Sequence, residues 1–86
     1  MGYKIQITTE DGTHVADQVV SDFALGRVRG NFNPSALSEV SISKILTAAC
    51  LEHIKEHGKD PRETAVALTT FETASMWAVK SITAGA

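Results

Sequence analysis

From Tyr3 to Thr9 apolar and polar residues alternate, with Tyr3, Ile5 and Ile7 on one face and Lys4, Gln6 and Thr8 on the other. A period of two predicts a half-buried strand. Glu10-Asp11-Gly12-Thr13 follows as a turn, with Asp-Gly as the hairpin signal. His14 to Ser21 is the predicted return strand, in which Val15, Gln18, Val19 and Val20 alternate less cleanly. A two-stranded hairpin alone is marginal in water. It must pack on helices or pair with strands of another subunit.

Asp22 to Ser35 reads as irregular, and a short strand near Ala24–Arg29 would also fit. Beyond it the period changes to that of a helix. Leu37 to His57 is the first long helix, with Ser35 or Ser38 as its cap and Gly58 as its stop. Ile42, Ile45, Leu46, Ala49 and Cys50 share one arc, and Val40, Leu51 and Ile54 lie opposite. Asp60 is positioned to cap the next helix and Pro61 to occupy its first position. That second helix runs from Arg62 to about Thr83. A link this short makes the two helices an antiparallel pair.

The second helix has a wide apolar arc of Ala65, Leu68, Phe71, Met76, Ala78, Val79 and Ile82, with Val66 and Trp77 on another side. A helix apolar on two sides is normally covered on both, and the partner helix covers only one. The expected fold is therefore α+β. An antiparallel β-hairpin within residues 1–30 precedes an antiparallel two-helix hairpin over residues 31–86, in one domain that assembles as a homo-oligomer. Size points the same way: an 86-residue chain buries only roughly 60–65% of its unfolded surface.

Charge and cysteine content narrow the function. The net charge of −2 argues against binding DNA or RNA through bulk electrostatics. Cys50 is alone, so no internal disulfide forms, and a buried thiol is expected. Met1-Gly2-Tyr3-Lys4 lacks the apolar run of a signal peptide, and no stretch is long enough to cross a membrane. The cytosol is the expected location.

Three groups of residues bear on chemistry. His53-Ile54-Lys55-Glu56-His57 matches the H-x-x-E-H pattern of inverted zinc peptidases. So short a chain has little room for a third ligand and a cleft, so the histidines read as a polar helix end, with no metal, cofactor or catalytic residue expected. Glu72 falls within the apolar arc of the second helix, where an unpaired carboxylate is costly. Lys44 or Arg62 is the expected partner, in an ion pair that fixes register or supports a ligand-binding arginine. Finally, Arg27, Arg29, Phe32 and Asn33 lie in a segment, Phe23 to Ser38, that has no acid. Arginine forks bind phosphate, an aromatic ring stacks on a base and an amide reads a base edge. The alternative is solvated arginines with Phe32 as a hydrophobic staple.

Phe32-Asn33-Pro34-Ser35, Arg62-Glu63-Thr64-Ala65, Leu68-Thr69 and Met76-Trp77-Ala78-Val79-Lys80, in this order, resemble the phage-encoded helical-hairpin proteins that counter bacterial immunity. These are the signal-sequestering sponges of the anti-CBASS and Thoeris anti-defence type. The match covers roughly Asn31 to Thr83, and the preceding β segment resembles the Thoeris-type branch. The resemblance implies a non-enzymatic protein in the cytoplasm of the infected bacterial host. It would bind a small nucleotide second messenger: a glycocyclic ADP-ribose isomer, a cyclic dinucleotide or a cyclic trinucleotide. It implies a dimer or hexamer in which Arg27, Arg29, Phe32 and Asn33 line a pocket between subunits. Arg62 and Thr69 would lie at a helix–helix interface with a second pocket, and Met76 and Trp77 would mainly pack. The family pattern leads one to expect Gly and Asn soon after Phe-Asn-Pro-Ser, where this chain has Ala36-Leu37, and a longer β segment. One pocket is therefore expected to be altered. A different class of function, a module that binds a host protein through its two-faced helices, fits the apolar faces as well.

Overall fold

The hairpin of β1 (Tyr3–Thr8) and β2 (His14–Val20) is antiparallel, with Tyr3 opposite Val20 and Ile5 opposite Gln18. The computed structural model describes residues 2–85; Met1 and Ala86, the ends of the expected domain, lie outside the described residues. Near the turn Ile7 pairs with Ala16 but Thr8 with His14. Val15 is thus the extra residue of a bulge, which accounts for the imperfect alternation of β2. Gly12, at φ 93°, supplies the left-handed turn residue, and Asp11 accepts hydrogen bonds from the Thr13 amide at 3.1 Å and hydroxyl at 2.9 Å.

The segment after β2 differs from expectation. Asp22–Arg27 forms a short helix, α1, where irregular chain or a strand was predicted. Ser21 caps it by accepting from the Ala24 amide at 3.4 Å. At six residues α1 spans less than two turns, too little for a helical period to stand out in the sequence. Its apolar residues, Ala24 and Leu25, join Val28, Val20, Ala48, Ala49 and Leu51 in the core. Packing therefore decides its conformation.

α2 (Ser38–His57) and α3 (Pro61–Ile82) are the expected long helices. At the start of α2 neither expected serine is the cap: Leu37 holds that position and makes no capping side-chain bond. The loop is fastened from Asn33, whose amide donates to the Leu37 carbonyl at 2.8 Å and to Ser41 Oγ at 3.0 Å. At the other end Gly58 stops α2, though with an ordinary φ of −66°. Glycine is needed there for space, because a Cβ would lie 2.3 Å from Thr64 Oγ1 and 2.8 Å from the Ile54 carbonyl oxygen. Asp60 caps α3 by accepting from the Glu63 amide at 2.7 Å, and Pro61 opens the helix.

β2, α1 and α3 all pack on α2. Its buried row is Val40, Lys44, Ala48, Leu51 and Glu52. The other arc remains open: Ile42 and Leu46 are exposed, and so is Cys50, which was expected to be buried. On α3 only Ser75 is buried, while Leu68 and Phe71 are half-buried against the core. Val66, Met76 and Trp77 are exposed. No helix of the described residues is long and apolar enough to cross a membrane.

Glu52 fixes the start of α1. Its Oε1 accepts from the Ser21 amide at 2.8 Å. Hydrogen bonds from the Ser21 hydroxyl and amide hold the carboxyl below its ordinary value of 4.5, against burial, which raises it. A carboxyl whose pKa is lower when folded stabilises the fold above its unfolded pKa, and that contribution is lost as the pH falls through the folded value. Glu52→Ala is expected to cost about 1–3 kcal/mol near neutral pH, by leaving the Ser21 amide without its acceptor. The difference between the denaturant melts of wild type and variant should narrow as the pH falls below 4.5.

Candidate functional site

Arg27, Val28, Arg29 and Phe32 form one wall of an open cavity of about 460 Å³. Glu72, Ser75, Met76 and Val79 of α3 form the other, and Lys44 of α2 lies between them. Cavities of roughly 300–1,000 Å³ suit small ligands. A second hollow of about 290 Å³ adjoins it, sharing Phe32, Lys44 and Val79 and adding Asn33, Pro34 and Ser35. The four residues singled out in the Phe23–Ser38 segment thus lie together, around two connected depressions.

The backbone there is held against its own preference. Gly30 donates to the Leu25 carbonyl at 2.8 Å and Arg29 to that of Gly26 at 3.3 Å, the paired bonds of a Schellman helix end. Such an end places one residue in the left-handed region. Glycine usually fills it; here it is Arg29, at φ 52°. For a residue with a Cβ this costs about 1–2 kcal/mol. Ala36 is left-handed as well, at φ 58°, within the turn where the Ala36 amide donates to the Asn33 carbonyl at 3.2 Å. The family pattern led to glycine soon after Ser35, and the backbone at Ala36 has the shape glycine favours.

Lys44 locks this arrangement. Its ammonium donates to the Arg29 carbonyl at 2.9 Å and to the Phe32 carbonyl, and lies 5.6 Å from the Phe32 ring centroid. Burial lowers its pKa from the ordinary 10.5, and the charge of Arg29 lowers it further. Phe32 is itself 58% exposed. Asn33 spends its amide on Leu37 and Ser41, and its Oδ1 accepts from the Ser35 hydroxyl at 2.6 Å. Asn33 therefore shapes the loop directly.

The partner of Glu72 is Arg27, not the expected Lys44 or Arg62. Arg27 Nη2 donates to Glu72 Oε2 at 2.7 Å. Lys44 is unavailable because backbone carbonyls engage it, and Arg62 is exposed about 15 Å away along α3, at ~1.5 Å per residue. Arg62 belongs to a different hollow, of about 390 Å³, with Glu63, Val66, Ala67, Thr70 and Phe71. Thr69 is exposed beside it and its carbonyl accepts from the Thr73 hydroxyl at 3.1 Å. Arg62 and Thr69 thus lie apart from the Arg27 cavity.

Lys44 is the residue that sequence reasoning misplaced. Its position in the Val40–Ala48–Glu52 row, at four-residue spacing, is the signal that it faces inward. Met76, read as packing, lines the cavity, whereas Trp77 is exposed beneath the Lys80 ammonium, 5.0 Å from its ring. The H-x-x-E-H histidines lie with ring centroids 4.5 Å apart and their planes tilted by 44°, and His53 Nδ1 lies 3.0 Å from Gln18 Oε1. Among the described residues no group of three His, Cys, Asp or Glu is gathered as a metal site requires.

The family model described as Acb2/Tad1, hairpin domain, matches residues 26–83, more than half of the chain. The matched stretch begins at Gly26, so it includes Arg27 and Arg29 as well as both long helices. No curated protein and no solved structure matches.

The left-handed residues yield a stability prediction. Arg29→Gly and Ala36→Gly should each raise stability, by about 0.5–1 kcal/mol after allowing for the greater unfolded-state entropy of glycine. Thermal melts of the single variants check this. A fall in melting temperature for both would show that neither position carries backbone strain.

Proposed function

Because the chain belongs to the Acb2/Tad1 hairpin-domain family, a family of anti-defence nucleotide sponges, we propose that it sequesters a cyclic immune signal without turning it over. The candidate signals are glycocyclic ADP-ribose isomers and cyclic di- or trinucleotides, and the pathways blocked are Thoeris or CBASS. The observation that carries the reading is the cavity between the Arg27–Phe32 segment and α3, where two arginines and an exposed aromatic ring meet. Arg27 and Arg29 supply donors to phosphate, Phe32 stacks on a base, and Asn33 holds the loop in shape. Arg62 and Thr69 belong to a second pocket, completed across a helix–helix interface.

Sequestration asks for affinity and quantity, not chemistry. A strained arginine fits this purpose: residues held in unfavourable backbone regions persist where the surroundings over-determine them, and they cluster at functional sites. The exposed apolar residues Ile42, Leu46, Val66 and Trp77 support a homo-oligomer, a dimer or hexamer, that covers them and completes the pockets. The same residues favour a second reading, a module that docks on a host protein. The proposed site of action is the cytoplasm of the infected bacterium.

Calorimetry against cyclic dinucleotides, cyclic trinucleotides and cyclic ADP-ribose isomers should give tight binding of at least one. Heat should then release that ligand intact. A chemically altered product overturns the sponge reading. Arg27→Ala should weaken binding roughly 10–100-fold, the worth of one charge-assisted hydrogen bond, with the oligomer unchanged by light scattering. Arg29→Gly should lose affinity while melting at a higher temperature. A poorly soluble monomer that binds no nucleotide would favour the docking module instead.

A further inference from the structure

We infer that Glu72 is a positioning residue of the proposed nucleotide cavity, holding the Arg27 guanidinium where it meets the ligand's anionic groups. This rests on the sequestration reading above. Glu72 stands one turn before Ser75 and Met76 on α3 and two before Val79, and all four face the same cavity. Arg27 reaches it from the last turn of α1, in the opposite wall. The contact of 2.7 Å between Nη2 and Oε2 therefore bridges the two walls.

Several features separate this pair from one that only fixes packing. Each side chain is 30% exposed, and at such exposure water screens much of the attraction. Apolar residues in the same place would join α1 to α3 at least as well. The pair also leaves the guanidinium imperfectly satisfied, since Arg27 Nε is buried without a hydrogen-bond partner. Buried donors are nearly always paired. Arg27 is thus held to Glu72 through Nη2, at the rim of the cavity that it lines. The Phe23 ring, 5.6 Å from the guanidinium carbon, sits beside it, and Lys55 lies over the same ring at 3.9 Å. A flexible cationic side chain becomes a fixed donor, so less freedom is lost when the anion arrives.

A double-mutant cycle tests this, with cyclic di-adenosine monophosphate and cyclic ADP-ribose as the probes in calorimetry. Glu72→Gln should weaken binding of a probe about tenfold in the wild-type background. It should weaken it no further in the Arg27→Ala background, because a residue that acts through Arg27 has nothing left to position. Equal losses in both backgrounds, or none in the first, overturn the inference. If the wild-type protein binds neither probe, the ligand class proposed above fails for these two, and a second measurement decides the role of Glu72 by itself. In 15N NMR the Arg27 Nε–H should give a sharp, slowly exchanging resonance that is lost to solvent exchange in Glu72→Gln. An unchanged resonance in that variant contradicts the positioning role.

Discussion

Two charged side chains on the buried row of α2 hold the segment on which the candidate site depends. Glu52 takes the Ser21 amide at one end, and Lys44 takes the Arg29 and Phe32 carbonyls at the other. They lie eight residues apart, about 12 Å along the helix, and between them the chain makes α1 and its left-handed exit. Both are almost fully buried, where an unmatched charge would be very costly. Each is instead matched to backbone groups of the segment. A carboxylate that accepts from an amide and an ammonium that donates to two carbonyls make the segment's path a property of α2.

That constraint explains how an arginine can sit at φ 52°. A Schellman end selects glycine when nothing else decides, and here Lys44 fixes the carbonyl of the very residue that bears the strain. The side chains of Arg29 and Phe32 are consequently directed outward from a backbone that cannot relax. Arg27 is tied across the cavity to Glu72 on α3. The helical hairpin thus holds the segment at three points, with only a small part of its own surface. The remaining apolar area of α2 and α3 is left uncovered, which is why the proposed function includes further copies of the chain.

The two strands and two long helices were legible from the period of β1 and of the helices and from clear ends: Asp11-Gly12 for the turn that makes β2 the return strand, Asp60-Pro61 for the start of α3, Gly58 for the end of α2. α1 was not, because a helix of less than two turns shows no period and forms by packing Ala24 and Leu25 on α2. The grouping of Arg27, Arg29 and Phe32 was visible as a patch without acids. Their support was not. Glu72 clearly needed a partner, but its choice among Arg27, Lys44 and Arg62 depends on where α1 lies, and α1 was the element the pattern concealed. The exposure of Cys50, Ile42 and Leu46 was hidden for a related reason. A wheel shows two apolar arcs on α2, and only the buried charges of Lys44 and Glu52 reveal which arc faces inward.

Native-state amide hydrogen exchange tests the central claim that α2 pre-organises this segment. The amides of Ser21, Leu25 and Gly30 donate to Glu52, Ser21 and Leu25 respectively. They should exchange only with the same large opening that exposes the core amides of α2 around Ala48 and Leu51. Exchange of those three amides through a separate, much smaller opening, with α2 still protected, would show that the segment is loose and would contradict the account.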